Sequence, residues 1–470
     1  MSGVLERAKR VHFIGIGGIG MSGLAELLLN LGYEVSGSDM QRTDITDRLE
    51  SLGARIAEGH EGSNLGNAEV VVYSSAVKPA NAEMVAARER KLEIVGRADL
   101  LAELMQLRQG IAVAGAHGKT TTTSMIALVL DAAGLDPTAV IGGRLSAFGS
   151  NARLGRGKYL VAEADESDRS FLRLSPRFVV ITNIDREHLE AYRDFDDLRA
   201  CFVQFANSVP GNGGVVVLCA DDPHLRELRP KIQRPIVTYG LDVAADVTAT
   251  DVRMTGFGST SRVQARKAVG QVVDVGELHL AVPGRHNVLN ALAAVALGRE
   301  LGIGWSHIAE ALAGFHGAER RFQVHGEAGG VTVVEDYGHH PTEIAAVMAA
   351  AKPGTRGRII VAFQPHRFSR TQDLMGDFGR AFAAGADLVV LTDIYAAGEE
   401  PIAGIDLEAL AKRVAGDFRG ELQSVKSLAD VPRALARAAR PGDLIVLLGA
   451  GSIGSIWQNV LDELGRAAKS

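Results

Sequence analysis

The chain has 470 residues, which predicts about three domains at roughly 150 residues each. Hydrophobic residues make up 46% and charged residues 23%, ordinary values that exclude disorder as the main state. The formal net charge of −6 gives no global basic surface that would call for nucleic acid or anionic membranes. Glycine is abundant, with 54 residues, and such an excess indicates turns that bend tightly or approach a ligand closely.

The cysteines and the N-terminal segment exclude further classes. Cys201 and Cys219 are too few and too far apart for a disulfide scaffold or a Cys-x-x-Cys metal site. Five glycines from Gly15 to Gly23 interrupt the first apolar stretch, so this stretch does not have the pattern of a signal peptide. No stretch approaches the roughly 20 apolar residues of a membrane span. We therefore expect a soluble, cytoplasmic protein. Whether it is a monomer or a homodimer is left open by the sequence.

Predicted strands and helices alternate along a first segment, residues 1–108. A helix is expected from the first glycine turn to about residue 31, and a polar helix near residues 100–109. Alternating strands and helices favour a parallel sheet with right-handed crossovers. The strands of this segment are predicted at residues 11–14, 33–37 and 70–73.

Two further α/β segments are predicted, a central one at residues 109–314 and a last one at 315–470. Within the central segment, residues 236–282 alternate between polar and apolar side chains, as antiparallel strands do. An alanine-rich helix is expected at 287–301. Other strands are predicted at 111–114, 159–162, 178–181, 214–217, 331–334, 358–361, 387–390 and 443–446. The predicted fold is α/β with three domains: two Rossmann-like domains flank a phosphate-loop domain with a parallel sheet and a small antiparallel sheet.

The first glycine turn lies between a strand and a helix and has the pattern Gly-x-Gly-x-x-Gly. Its glycines, Gly15, Gly17, Gly18 and Gly20, would let a nucleotide diphosphate approach the helix N-terminus. Asp39, at the end of the second strand, could accept hydrogen bonds from a ribose or a base. A purely structural tight turn remains an alternative.

The second glycine turn, Gly115-Ala116-His117-Gly118-Lys119-Thr120-Thr121, resembles a phosphate loop, although Val113 replaces its first glycine. Lys119 would supply charge to the β- and γ-phosphates, and the Thr120 hydroxyl would be a ligand of Mg²⁺. The sequence therefore predicts triphosphate chemistry.

A third turn, Gly449–Gly454, repeats the pattern of the first turn near the end of the sequence. No second strand with an acidic residue follows it, so a complete dinucleotide module is not expected. We predict a structural turn or a lesser contact.

Polar clusters follow the strands of the central segment. Glu163 is the first acidic residue after one strand and is favoured as a Mg²⁺ ligand, a solvated acidic loop being the alternative. His188, after the next strand, could bind a second ion or lie in a surface loop.

Three polar clusters in the last segment, residues 319–322, 336–341 and 364–370, precede or follow strands and predict one cleft between domains. Their arginines suit carboxylates and phosphates. His339 and His340 are not favoured as a metal pair, because adjacent side chains of an extended chain point opposite ways.

Together these motifs resemble the Mur ligase family of bacterial peptidoglycan precursor synthesis, over essentially the whole chain. Ala116 departs from the threonine that the family usually has, and it leaves the functional Lys and Thr in place. The resemblance is carried by GIGGIGMSGLAELL, SGSD, GAHGKTTTT, EADESD, NID with EH, GRHNVLNALAA, DYGHHPTE and FQPHRFSR.

The resemblance implies an ATP-dependent amide ligase with a role in cell wall synthesis, and hence in cell shape and division. It would join L-alanine to the lactyl carboxylate of UDP-N-acetylmuramate through an acyl phosphate, with two Mg²⁺ ions. A sister ligase that adds a recycled murein peptide to the same UDP-sugar is the nearest alternative. The motifs do not separate L-alanine from glycine or serine, nor ATP from other purine triphosphates.

The resemblance also implies a role for particular residues. No Lys occurs between Lys158 and Lys231, so the carbamoylated lysine of several relatives is not expected. Gly15, Gly17, Gly18, Gly20, Asp39, His60 and Ser74 would bind the UDP-sugar. Gly115, Ala116, His117, Gly118, Lys119, Thr120, Thr121, His286, Asn287, Asn290, Arg321 and Asp336 would bind ATP, and Thr120, Glu163 and His188 the metal ions. Tyr337, His339, Arg367 and Arg370 would bind the amino acid, and Lys119, Glu163, His188, Arg367 and Arg370 would be catalytic.

The motifs alone leave open two hypotheses from other functional classes. A nicotinamide oxidoreductase would use the first glycine turn, yet it leaves the second turn and the acidic stretch at 163–168 without a role. A regulatory ATPase would use the second turn but needs no sugar-binding domain.

Overall fold

The structure is a computed structural model that describes residues 4–74, 76–145, 150–187, 191–266 and 270–468. It contains three separate sheets in chain order, and helices connect their strands. The prediction of a three-domain α/β protein is confirmed.

The first sheet has five parallel strands in the order β3-β2-β1-β4-β5. Its central strand is buried on both faces at four of five positions, as expected for a strand covered by helices. The strands are β1 Arg10–Ile14, β2 Glu34–Asp39, β3 Arg55–Glu58, β4 Val70–Tyr73 and β5 Glu93–Gly96. The helices are α1 Val4–Arg7, α2 Ile19–Asn30, α3 Asp44–Ser51, α4 Ala82–Glu89 and α5 Arg97–Gln106.

The central sheet has ten strands, in the order β15-β14-β13-β12-β11-β10-β6-β9-β7-β8. The prediction of antiparallel strands at 236–282 is wrong at its start, because β12 pairs parallel with β11 and with β13. The strands β12 to β15 extend the central sheet rather than form a small separate one, and with the antiparallel pair β7–β8 the ten strands form one mixed sheet. They are β6 Gln109–Ala114, β7 Thr138–Leu145, β8 Ser150–Arg153, β9 Tyr159–Glu163, β10 Phe178–Ile181, β11 Val215–Cys219, β12 Ile236–Gly240, β13 Val247–Thr255, β14 Gly258–Arg266 and β15 Val272–Leu280. The helices are α6 Lys119–Ala132, α7 Phe195–Asn207, α8 Pro223–Leu228, α9 Arg285–Glu300 and α10 Trp305–Ala313.

The third sheet has six strands in the order β16-β17-β21-β18-β19-β20, and only β16 runs antiparallel to its neighbour. Its strands are β16 Gln323–Ala328, β17 Val331–Asp336, β18 Ile359–Phe363, β19 Leu388–Leu391, β20 Glu421–Ser424 and β21 Leu444–Leu448. Its helices are α11 Pro341–Ala351, α12 Phe368–Leu374, α13 Phe378–Ala383, α14 Leu407–Asp417, α15 Val431–Ala438 and α16 Trp457–Ala467. Hydrophobic clusters cover both faces of this sheet.

By its internal contacts the chain divides into two compact units. Unit 1 comprises residues 1–250, 262–277 and 289–313, and it contains the whole first sheet and most of the central one. Unit 2 comprises residues 251–261, 278–288 and 314–470, and it contains the whole third sheet. The predicted domain boundaries, 1–108, 109–314 and 315–470, stay a prediction.

One local expectation needs adjustment. The polar helix predicted near residues 100–109 runs from Arg97 to Gln106, and Gln109 already belongs to β6. Its start is earlier because Gly96 ends β5 in an extended conformation and serves as the N-cap.

Among the residues that the structure describes, no helix combines the length and apolar character needed to span a bilayer.

Candidate active site

The second glycine turn connects β6 to α6 and has the backbone shape of a phosphate loop. Gly118 is in the left-handed conformation (φ +82°) and caps α6, which begins at Lys119. A Cβ on Gly118 would lie 2.6 Å from Asn290 Oδ1, and one on Gly115 would lie 2.2 Å from Thr182 Oγ1. Both positions therefore require glycine for space as well as for conformation.

Two residues that follow β10 hold this loop in place. The backbone N–H of His117 donates to Asn183 Oδ1 (2.8 Å), and Asn183 Nδ2 donates to the His117 carbonyl oxygen (3.0 Å). Thr182 Oγ1 donates to the same carbonyl oxygen at 2.6 Å. Asn183 was not predicted as a site residue, although it begins the motif NID. Its position at the end of a strand beside the phosphate loop was the available signal.

Lys119 is held by a carboxylate that the sequence reasoning did not single out. Its Nζ lies 2.9 and 3.0 Å from the two carboxylate oxygens of Glu166 and 2.6 Å from the Gly115 carbonyl oxygen. Burial alone would lower the pKa of Lys119, but Glu166 and Asp165 outweigh it, so the pKa is raised and the side chain is charged. The Glu166 side chain is only 3% exposed. A phosphate that approaches Lys119 must therefore compete with Glu166.

Glu166→Gln is expected to tighten ATP binding in the absence of Mg²⁺ by roughly tenfold, because the neutral amide no longer neutralises Lys119. Calorimetric titration with ATP measures this change. Asp168→Asn, on an exposed position of the same loop, serves as the matched control and should leave the affinity unchanged. Weaker binding by Glu166→Gln would show that Glu166 orients Lys119 for ATP rather than competing with it.

Thr120 and Glu163, the two predicted metal ligands among the described residues, lie together. Thr120 Oγ1 is 3.2 Å from Glu163 Oε2, and the N–H of Gly142 donates to Glu163 Oε1 at 2.5 Å. A hydroxyl and a carboxylate are hard oxygen donors of the kind that Mg²⁺ prefers beside a triphosphate. The donor set therefore fits Mg²⁺. His188 lies outside the described residues, so its role as a ligand stays a prediction.

The three residues predicted to contact the adenine side of ATP lie in the first two turns of α9 and have different surroundings. Asn290 lies beside the phosphate loop, where its Oδ1 accepts a hydrogen bond from Thr122 Oγ1 at 3.3 Å. Asn287 Nδ2 donates to the Pro283 carbonyl oxygen at 2.7 Å, and His286 is exposed at the start of α9. Asn290 therefore contacts the start of α6 directly, whereas the adenine role of all three stays a prediction.

The first glycine turn lies at the carboxyl edge of the first sheet, but Asp39 contacts the turn itself. Asp39 Oδ2 accepts the N–H of Gly17 at 2.8 Å, and a Cβ on Gly17 would lie 2.9 Å from that oxygen. The N–H groups of Gly15 and Ile16 donate to the Ser38 carbonyl oxygen, and that of Gly18 donates to the Gly15 carbonyl oxygen. The turn was predicted to hold a diphosphate, yet these four amides already donate within the chain.

His60 and Ser74 also lie at this edge. His60 is the second residue after β3, and Ser74 follows β4 directly. His60 Nδ1 is 3.0 Å from Ser38 Oγ and 3.3 Å from Glu83 Oε2. Glu83 is fully buried and also accepts hydrogen bonds from Ser38 and Asn64. Glu83 was missed by the sequence reasoning because an acidic residue in a helix usually faces solvent.

In unit 2, the predicted amino-acid-binding residues gather at the carboxyl edge of the third sheet. The His339 ring packs against the rings of Tyr337 and His366, each with centroids 5.7 Å apart. Arg370 Nη1 lies 3.2 Å from His366 Nδ1. Burial lowers the pKa of His339 to about 3 and that of His366 to about 4, so both imidazoles are neutral near pH 7.

Arg367 is held in a conformation that non-glycine residues rarely adopt, with φ of +69°. Its N–H donates to the Tyr395 carbonyl oxygen at 2.8 Å, and its own carbonyl oxygen accepts Thr371 Oγ1 at 2.7 Å. Backbone strain of this kind clusters at functional sites. Tyr395 stacks on His366 at 5.6 Å. His366 lies in the predicted cluster 364–370 but was given no role of its own, and Tyr395 was not predicted as part of the site.

Asp336 and Arg321, predicted to bind ATP, lie near Tyr337 at the end of β17. Asp336 accepts the N–H groups of Phe322 and Gly338 at 2.8 and 2.7 Å, and its burial raises the pKa to about 6. The Arg321 guanidinium lies 5.3 Å from the centre of the Tyr337 ring and 3.6 Å from a Glu343 oxygen. Their contact with ATP stays a prediction.

The third glycine turn is fastened by an ion pair inside unit 2. Arg320 donates to the carbonyl oxygens of Gly449 and Gly451 at 2.9 and 3.0 Å while its Nε binds Glu335. A Cβ on Gly454 would lie only 1.9 Å from Glu335 Oε1. These contacts give the turn a structural role, in agreement with the first of the two alternatives predicted for it.

The central domain combines a mixed β-sheet with a phosphate loop that carries a lysine, beside a hydroxyl–carboxylate pair. These features define a protein of the class that uses nucleoside triphosphates. The Mur ligase family matches the chain in three consecutive parts. Its catalytic domain matches residues 10–109, its middle domain residues 113–298 and its glutamate ligase domain residues 320–451.

Individual proteins are similar over nearly the whole chain. UDP-N-acetylmuramate–L-alanine ligase of Geobacter sp. (strain M21) is 51% identical over 465 residues, which cover 99% of each chain. The solved UDP-N-acetylmuramate–alanine ligase of Thermotoga maritima is 30% identical with a TM-score of 0.82, covering 97% of this chain and 99% of that one. A murein peptide ligase from Psychrobacter arcticus is 26% identical with a TM-score of 0.72, at the same coverage.

The chain belongs to the Mur ligase family. It is therefore an enzyme, an ATP-dependent ligase that forms amide bonds.

Proposed function

We propose that the chain joins L-alanine to the lactyl carboxylate of UDP-N-acetylmuramate at the expense of ATP, in peptidoglycan precursor synthesis. The observation that carries the proposal is the 51% identity, over 99% of each chain, with a ligase named for this substrate pair. Both ATP and UDP-linked sugars are cytoplasmic metabolites, so the proposal places the reaction in the cytoplasm.

In the first step, an oxygen of the lactyl carboxylate attacks the γ-phosphorus of ATP, and the bond to the ADP oxygen breaks. Phosphoryl transfer depends mostly on positioning and on neutralising charge. Lys119 supplies a fixed positive charge at the phosphate loop, and Gly115 and Gly118 keep the loop backbone close to the phosphates. Thr120 and Glu163, with His188, would hold Mg²⁺, which when bound offsets negative charge on the phosphates.

In the second step, the amine nitrogen of the amino acid attacks the acyl phosphate carbonyl carbon, and inorganic phosphate leaves. The amine loses a proton, and an amide bond remains. Arg367 and Arg370 are suited to the amino-acid carboxylate because a guanidinium binds a carboxylate through two parallel hydrogen bonds. His339, which is neutral near pH 7, can accept a hydrogen bond from the ammonium group.

A phosphate-release assay with ATP and UDP-N-acetylmuramate, in which amino acids are screened one at a time, tests the proposed function. We expect release that depends on L-alanine, with glycine and L-serine as the nearest competitors. Release only with the recycled murein tripeptide would identify the sister activity, and release without any amino acid would contradict the ligase proposal. Absence of a spectral change with NAD(H) checks the oxidoreductase alternative.

A further inference from the structure

Arg97 is a residue that neither the sequence motifs nor the predicted site includes. It follows β5 directly and begins α5, so it lies at the carboxyl edge of the first sheet. The first glycine turn follows β1 and Ser74 follows β4 at the same edge, and β4 separates β1 from β5. Ligands of open parallel sheets bind at this edge.

The Arg97 side chain reaches across the edge to the glycine turn. A Cβ on Gly20, in the first turn of α2, would lie 3.1 Å from Arg97 Nη1 and 3.3 Å from its Cδ. Gly20 thus leaves room for the guanidinium to lie against the helix start. On its other side, Arg97 Nη2 is 3.9 Å from Asp165 Oδ2, in the acidic loop that also carries Glu166.

The guanidinium has unused hydrogen-bonding capacity. Its side chain is only 23% exposed, and Asp165 at 3.9 Å, beyond hydrogen-bond distance, is its one charged partner in the described part of the chain. An arginine has five N–H donors, and a largely covered polar group without partners is costly. Arg173, a neighbouring arginine, differs in this respect: it is more exposed than Arg97, and yet it forms a hydrogen-bonded ion pair with Asp99.

A cation would complement the glycine turn. The N–H groups of Gly15, Ile16, Gly17 and Gly18 all donate within the chain, as described above, so they do not neutralise a diphosphate. A nucleoside diphosphate carries negative charge at its two phosphates, and a planar guanidinium binds phosphate oxygens in pairs.

We propose that Arg97 binds the diphosphate of the UDP-sugar at the first glycine turn. The inference rests on the proposed function, since it takes a UDP-linked substrate as the occupant of this edge. In this arrangement Gly20 leaves space beside the guanidinium, and Asp165, 3.9 Å away, is only a distant charged neighbour of Arg97.

Binding of UDP alone, and separately of UDP-N-acetylmuramate, to Arg97→Gln tests the proposal without any catalytic step. Isothermal titration should show both ligands weakened by the same factor, roughly 10- to 100-fold. If Arg97→Gln does not fold, Arg97→Lys carries the test; it keeps the charge but loses the paired geometry, so a smaller loss in the same direction is expected.

Two matched variants separate ligand binding from a structural ion pair. Arg173→Gln removes a neighbouring arginine, and Asp165→Asn removes the acidic partner of Arg97; both should bind UDP as the unmodified chain does. Unchanged UDP affinity in Arg97→Gln, or a loss confined to UDP-N-acetylmuramate, would overturn the diphosphate assignment. An equal loss in Asp165→Asn would reduce Arg97 to a structural role. If the unmodified chain binds neither ligand, the proposed function fails instead.

Discussion

Lys119→Ala is expected to lower amino-acid-dependent ADP and phosphate release by at least roughly 10³-fold, the scale on which fixed charges stabilise phosphoryl transfer. The lysine is the first residue of α6, and its Nζ donates hydrogen bonds to the carbonyl oxygen of Gly115 and to the carboxylate of Glu166. No other lysine occurs in this loop. A coupled assay for ADP, together with one for phosphate, measures the loss.

The control for this prediction must separate charge from folding. Removing Lys119 leaves the carboxylate of Glu166, only 3% exposed, without its cation, and a buried unpaired charge is destabilising. The double variant Lys119→Met with Glu166→Gln removes both charges, so it should recover thermal stability while remaining inactive. Lys231→Ala, at an exposed position, should keep full activity. Turnover near that of the unmodified chain in Lys119→Ala would refute the assigned role.

Glu163→Gln is expected to raise the Mg²⁺ concentration for half-maximal activity by at least roughly tenfold and to lower the maximal rate by roughly 10²-fold. The amide keeps the shape and an acceptor oxygen for Thr120 Oγ1 or the Gly142 N–H, but it removes the negative charge that a divalent ion needs. Titration of activity with Mg²⁺ at saturating ATP measures both quantities.

Asp168→Asn makes the same chemical change on an exposed position of the acidic loop, and its Mg²⁺ titration should match that of the unmodified chain. His188→Ala belongs in the same series, with a raised Mg²⁺ requirement expected. If Glu163→Gln titrates like Asp168→Asn, Glu163 does not bind the metal ion, and the Thr120–Glu163 contact is only structural.

Much of the molecule could be predicted from local pattern. The buried apolar runs that became β1, β6, β10 and β21 were recognisable because strands covered on both faces contain almost continuous apolar residues. Short and half-exposed strands such as β3, β5 and β20 were not predicted, because their residues carry neither a long apolar run nor a clear alternation.

The sequence by itself determined the glycine turns, the lysine and threonine of the phosphate loop and the order of three α/β segments, since each depends on residues adjacent along the chain. Only the tertiary structure decided the partners: Glu166 for Lys119, Asn183 for the loop, Glu83 for His60 and Arg97 beside Gly20. The two members of each pair lie 23 to 77 positions apart along the chain, so no local pattern links them. Parallel strands align their carboxyl ends at one edge, so strand order, which no local pattern encodes, selects which side chains meet there.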